Sequence, residues 1–384
     1  MRFASCARFA FLYAGSNEFL NYRHQADIFT IYKQLLNRGF TKENIALYAY
    51  DDIATIKYNP FQGQVFHTID HKINVYPGTD AINVKGADVD DQSFYNAIIN
   101  LPTTSEDYVF IYYDNHGGPG ILGTPDADEI YADKLAKSFS IALKNNLYKQ
   151  CLFVIEACYS GSVAEVITVP NFASITAAND QESSYAVTYD SEIGAYLSNE
   201  FTNHFIDLID ETPSITIGDL YTKLKSLTEE SHACYYGDES IQSISISTFI
   251  GTPNQLLPKT IKIHSKPVTQ REASEQTLLY LSQHSKPKFR AISRLQILRR
   301  KIQKQRLELA LEMIVKYVDT KNYEQIMKDT KTKITPTYFQ VLRIFLNKFG
   351  KINPDDYDRL NILKALSASH SKDEIIQGIF SVKF

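Results

Sequence analysis

Six short runs of almost unbroken apolar residues recur through the first 250 positions, at 9–14, 45–50, 108–113, 152–155, 173–178 and 244–250. A half-exposed strand alternates apolar and polar residues. Runs this continuous belong to strands buried on both faces, the situation of a parallel sheet covered by helices. Helical patterns fall between them, over 26–38, 92–100, 130–145, 193–209 and 217–231. This alternation predicts an α/β fold: an open, mostly parallel six-stranded sheet with helices on both faces. The span 53–90, with Pro60, Gly63, Pro77, Gly78 and Gly86, predicts a long loop.

Beyond about residue 252 the pattern changes. Pro253, Pro258, Pro267 and Pro287 punctuate a linker with one short helix near 272–283. From Ala291 the chain turns helical, with Leu295, Leu298, Ile302, Leu307, Leu311 and Ile314 at roughly helical spacing. Further helices are predicted at 338–349, 355–366 and 372–380. The boundaries expected are therefore 1–252 for an α/β domain, 253–290 for a linker and 291–384 for an all-α part.

Charge divides the chain at the same place. Residues 1–265 carry 17 Lys+Arg against 32 Asp+Glu, and residues 266–384 carry 23 against 12. The stretch 286–306 holds nine basic residues and no acidic one. An acidic part joined to a basic part predicts intramolecular docking, with binding of nucleic acid or anionic lipid as the competing readings. No apolar run reaches the roughly 18 residues of a membrane span. Four cysteines among 384 residues exclude a disulfide scaffold, and Cys6, Cys151 and Cys234 read as free thiols. His67, His71, His204 and His232 lack metal-ligand spacing, so neither metal nor cofactor is expected. Residues 2–7 resemble a signal peptide cut very short, because a buried strand already begins near Arg8.

Chemistry concentrates at two strand ends. The third run ends in Asp114-Asn115-His116-Gly117-Gly118 and the fourth in Glu156-Ala157-Cys158-Tyr159-Ser160-Gly161. In an open α/β sheet, sites form beyond the carboxyl ends of the strands. Neighbouring parallel strands lie about 4.8 Å apart, so a thiol and an imidazole there can face each other across a substrate-sized gap. Small residues beside them let backbone N–H groups of Gly117 and Cys158 approach a developing oxyanion. A phosphate loop at 116–120 is disfavoured: no Lys-Ser/Thr follows, and Pro119 lacks a donor.

These residues carry a resemblance. Ala14-Gly15-Ser16-Asn17 with Asn21-Tyr22-Arg23-His24-Gln25-Ala26-Asp27, Tyr50-Asp51-Asp52-Ile53-Ala54, Asn115-His116-Gly117, Glu156 to Ser162, Thr176-Ala177-Ala178-Asn179 and Glu182-Ser183-Ser184-Tyr185-Ala186 are similar to the legumain (asparaginyl endopeptidase) family of caspase-like cysteine peptidases. The similarity spans about residues 7–250. It implies Cys158 as nucleophile, His116 as base, Asn21 as the residue orienting the imidazole, and Gly117 with Cys158 as oxyanion donors. It implies a pocket for the substrate Asn side chain built from Arg23, Glu156, Ser183, Ser184 and Asn199. A guanidinium can donate to a carboxamide oxygen while a carboxylate accepts from its NH₂.

Two positions depart from the family. Asn115 stands where an aspartate linked to ligase behaviour is usual; asparagine can also cyclise to a succinimide. Asn199 replaces the distal pocket acid. An asparagine there can donate or accept, so a weaker pH dependence and a weaker preference for Asn over Asp are expected. The resemblance further implies protein or peptide substrates, a lysosome-like, endosomal or secreted location, and a C-terminal helical prodomain. That prodomain would dock through its basic residues on the acidic catalytic face and be released by acid, catalytic-domain carboxylates having depressed pKa values when docked. Nucleic acid is not expected as a partner. A transpeptidase sharing the thioester step and a catalytically silent interaction protein are the alternatives.

Overall fold

A computed structural model of the chain describes residues 7–126, 128–255 and 266–383. The proposed signal remnant with Cys6, and the linker residues 256–265, lie outside the described residues.

Six strands form the main sheet: β1 (Arg8–Ala14), β2 (Ile45–Ala49), β3 (Tyr108–Asp114), β4 (Gln150–Glu156), β5 (Phe172–Thr176) and, after a separate pair β6 (Tyr185–Asp190) and β7 (Ala195–Asn199), β8 (Cys234–Gly237). Their order is β8-β5-β4-β3-β1-β2. All neighbours are parallel except β8, which runs antiparallel to β5. The α/β class and the six-stranded, mostly parallel sheet therefore stand as expected. Successive side chains go to opposite faces. Phe9, Phe11, Tyr13, Val109, Ile111, Tyr113, Phe153 and Ile155 feed one apolar cluster; Ala10, Leu12, Ala14, Phe110, Tyr112, Leu152 and Val154 feed another. Helix α1 (Tyr22–Asn37), α4 (Glu200–Glu211) and α5 (Ile217–Leu227) cover the second face, and α2 (Asp91–Ile99) and α3 (Ala132–Lys144) cover the first.

Within the first 252 residues, two elements differ from the sequence reading. The sixth strand is β8 rather than 244–250; there Thr216 bridges Ser245, and Ser247–Ile250 closes a helical turn that buries Phe249 and Ile250. The helical spacing over 193–209 conceals a hairpin. Strand β6 (Tyr185–Asp190) turns at Gly194, whose φ is 77°, into β7 (Ala195–Asn199), and α4 starts only at Glu200. A third strand, β9 (Val268–Thr269), adds to this small sheet along β6.

The C-terminal part contains α6 (Gln270–His284), α7 (Pro287–Val318), α8 (Pro336–Phe349), α9 (Asn361–Ser369) and α10 (Lys372–Ser381). The helix expected over 355–366 is split into a 3₁₀ segment, Pro354–Leu360, and α9. Leu311, Ile314, Phe345, Leu363 and Ile375 join the first cluster of the main sheet. The two parts thus meet through buried apolar surface, which stabilises docking by roughly 25 cal/mol per Å². Contact is close: a Cβ on Gly118 would sit 2.6 Å from that of Tyr357. Ion pairs crossing between the parts run from Lys333 to Asp180 (2.7 Å) and Glu165 (3.0 Å) and from Arg343 to Asp133. Arg300, within the basic run, pairs instead with Asp355 of the same C-terminal part (2.5 Å).

Candidate active site

Register places the two reactive groups. Asp114 of β3 is paired with Glu156 of β4, and His116 and Cys158 each follow two residues later. They emerge side by side and line one cavity with Gly117, Tyr159 and Ser183. A Cβ on residue 117 would strike the carbonyl oxygen of Cys158 and come within 3.0 Å of Ala157. Only glycine lets the two loops approach this closely. Tyr159 is held at a φ of 55°, a left-handed conformation rare for an aromatic residue. Its N–H donates to the Glu182 carbonyl at 2.8 Å.

The imidazole is oriented from behind. His116 Nε2 donates to Asn21 Oδ1 at 2.8 Å, and Asn21 is fixed by its own amide donating to the Asn17 carbonyl at 2.8 Å. With the proton on Nε2, Nδ1 is the basic atom. Burial holds His116 well below the ordinary histidine range, helped by the Arg23 and Arg300 charges. Cys158 Sγ lies 3.1 Å from Ser183 Oγ and accepts from the Ser184 N–H at 3.4 Å. Burial pushes its thiol up, partly offset by those donors from Ser183 and Ser184. Covering the cleft therefore keeps the pair as thiol and neutral imidazole.

Beside them lies a buried polar pocket that already holds a carboxamide. Arg23 Nε donates to Gln270 Oε1 at 2.7 Å, and its Nη2 donates to the same oxygen. Gln270 Nε2 donates to Asn199 Oδ1 at 2.8 Å and Ser184 Oγ at 3.3 Å. Arg23, Ser184 and Asn199 thus come together around one carboxamide. Ser183 sits at the thiol. Glu156 ends β4 fully buried, and neither carboxyl oxygen bonds the Gln270 amide. Burial pushes the Glu156 carboxyl well up. His24 lies at this wall, its Nδ1 2.7 Å from Ser16 Oγ and its Nε2 3.3 Å from Gln270 Oε1.

Gln270 was not legible as an occupant. Thr269 and Glu272 form a capping box at the start of α6, and that signature could have set the helix start at 270. Nothing in the local sequence says that its first side chain enters a pocket 247 residues away from Arg23. Strand β9 delivers it: Val268 pairs with Ala186 and Thr269 with Tyr185. Arg271 continues the cover, its guanidinium bonding the Asp355 carbonyl and Asp358 (2.8 Å). Asp355 Oδ1 stands 3.9 Å from His116 Nδ1.

Of the catalytic-domain carboxyls facing this cover, Glu129 shifts against the expected depressed value, and Asp355 and Asp356 of the C-terminal part shift the same way. Burial raises Asp355 despite Arg300, and raises Glu129, which accepts from Tyr357 at 3.1 Å. Asp356 is pushed up to about 6, burial outweighing Arg271. Asn115 donates to the Gly15 carbonyl, its amide turned into the interior.

A Cys-His pair at adjacent strand ends, an amide bonded to the imidazole and a buried polar pocket are the groups a thiol nucleophile and its base would need. Residues 8–252 match the Peptidase C13 family, and the chain belongs to that family. It is 34% identical over 276 residues to the "Vacuolar-processing enzyme delta-isozyme" of Arabidopsis thaliana, covering 65% of this chain and 59% of that one. It is 35% identical over 260 residues to a "Hemoglobinase" of Schistosoma japonicum (64% and 60%) and 33% over 254 to "Legumain" of Mus musculus (62% and 58%). The chain spans about three-fifths of the length of these relatives. Among solved structures, caspase-1 from Spodoptera frugiperda superposes with a TM-score of 0.39 at 11% identity, covering 66% of this chain and 92% of that one.

Proposed function

We propose that the chain is a cysteine endopeptidase cleaving after Asn, kept latent by its C-terminal helical part. Cys158 attacks the scissile carbonyl, His116 Nδ1 takes the thiol proton and returns it to the leaving amine, and the Gly117 and Cys158 N–H groups receive the oxyanion. Asn21 holds the imidazole tautomer. The observation that carries the specificity is the Gln270 carboxamide, its oxygen on Arg23 and its NH₂ on Asn199 and Ser184. A substrate carboxamide needs the same donors and acceptor, and an apolar side chain would leave them unpaired. Latency is supported by the same contact: the pocket is filled, and Asp355 and Arg271 line the cleft beside Cys158. The resemblance to vacuolar-processing enzymes and legumains supports an acidic compartment. Arg23→Ala is expected to lower kcat/KM on Asn peptides by about 10²-fold or more through loss of charge-assisted bonds. Undiminished cleavage after Asn in that variant overturns the pocket.

A further inference from the structure

We propose that Asp114, with Asp27, locks the Asn199 amide as a pure acceptor toward the substrate, which makes Asp114 a positioning residue for choosing Asn over Asp; the inference rests on the asparaginyl reading above. An asparagine amide can in principle face a ligand with either end. Here one end is committed. Asn199 Nδ2 donates to Asp27 Oδ2 at 2.9 Å and to Asp114 Oδ1 at 3.0 Å. Its two protons meet two carboxyl oxygens. Turning the amide over would set Oδ1 against both of them, and all three residues are fully buried, where unpaired polar atoms are costly.

Both carboxyls are themselves anchored. Asp27 Oδ2 also accepts the Asn199 backbone N–H at 3.0 Å, and its Oδ1 faces His67 Nε2 at 2.6 Å. Asp114 closes β3, and its Oδ2 accepts from Thr202 at 3.4 Å. Asn199 Oδ1 is therefore left pointing at the pocket, where it accepts from Gln270 Nε2. The opposite wall is the Arg23 donor. The pocket reads one acceptor on the substrate beside Arg23 and one donor beside Asn199. A substrate carboxylate meets Arg23 equally well but sets its second oxygen against Asn199 Oδ1, with no proton between them. The uncharged residue at 199 thus retains a choice of Asn over Asp, made by an oriented acceptor that carries no charge.

The test uses the full chain after acid incubation, with Ala-Ala-Asn and Ala-Ala-Asp reporter peptides at pH 6. Asp114→Val removes one of the two acceptors and should lower the Asn:Asp ratio of kcat/KM about tenfold; a loss of packing alone would lower both substrates together. Asn199→Asp removes the donor and places three carboxyls together, and should lower Asn cleavage by about 10²-fold. Adding Asp114→Asn exchanges the two groups, restores donor-to-acceptor matching, and should recover about tenfold of that loss. An unchanged ratio in Asp114→Val overturns the lock, as does full activity of Asn199→Asp or no recovery in the double variant. If Asp114→Val does not fold, the exchange pair decides. Wild-type protein that shows no preference for Asn overturns the asparaginyl reading and this inference with it; wild-type preference with unresponsive variants overturns this inference alone.

Discussion

Replacing Gln270 by Ala in the intact chain should uncover Cys158 without any acid treatment. The substitution removes the charge-assisted contact with Arg23 and the amide bonds to Asn199 and Ser184. A hydrogen bond to a charged group contributes about 1.5–3 kcal/mol and a neutral one about 0.5–1.5. Water entering the vacated pocket restores part of this, because Arg23 regains partners. A net weakening of about 2–3 kcal/mol follows, raising the open population roughly 30- to 150-fold. Helix α6 tolerates the change, since Ala is the best helix former. The assay is the rate at which an Asn-ketone, thiol-directed probe labels Cys158 at pH 7, compared with Gln270→Asn, which keeps a shorter carboxamide. Labelling rates equal in wild type and Gln270→Ala would refute the argument that this side chain holds the cleft shut.

Asn21→Ala should lower kcat about ten- to a hundredfold with little change in KM, because it frees the imidazole tautomer without touching the substrate pocket; a change confined to KM contradicts that role. Asp356 is raised to about 6 by burial, with Arg271, Asp355, Lys304 and Asp358 of the same C-terminal part around it. A carboxyl raised on folding contributes stability that is full below its ordinary value of about 3.9 and is lost as pH rises through about 6. This group therefore stabilises the folded C-terminal part on mild acidification, and Asp356→Asn should remove that gain between pH 7 and 5 in thermal melts of the full chain. Lys333 and Arg343 pair across the two parts with Asp180, Glu165 and Asp133, so Arg343→Ala combined with Lys333→Ala should raise labelling at pH 7; no change there assigns docking to the apolar interface.

Much of this molecule could be read from its residues because burial on both faces leaves a plain signature. The runs at β1, β3, β4 and β5 are continuous and apolar for that reason, and β3 and β4 carry their reactive groups two positions past a register pair. Where the reading failed, two periodicities overlapped. Ile193, Leu197, Phe201 and Phe205 fit a helix, yet Gly194 turns the chain first and β7 takes the leading half. Ile244 and Ile246 alternate with serines as a strand would, but the sheet edge there is taken by β8. Charge asymmetry suggested docking through the basic run, yet the contacts between the two parts are chiefly apolar. Arg300 turns to Asp355, while Tyr357, Phe345 and Leu363 fill the apolar interface. The orientation of Asn199 was beyond the sequence because it depends on Asp27 and Asp114, which are brought to it from 172 and 85 residues away.

The most direct measurement is the cleavage of Ala-Ala-Asn, Ala-Ala-Asp and Ala-Ala-Leu reporter peptides by the acid-incubated full chain, beside Cys158→Ala treated identically. The account predicts cleavage after Asn well above Asp, none after Leu, and no turnover in Cys158→Ala. Equal cleavage after Leu, or turnover that survives in Cys158→Ala, contradicts it.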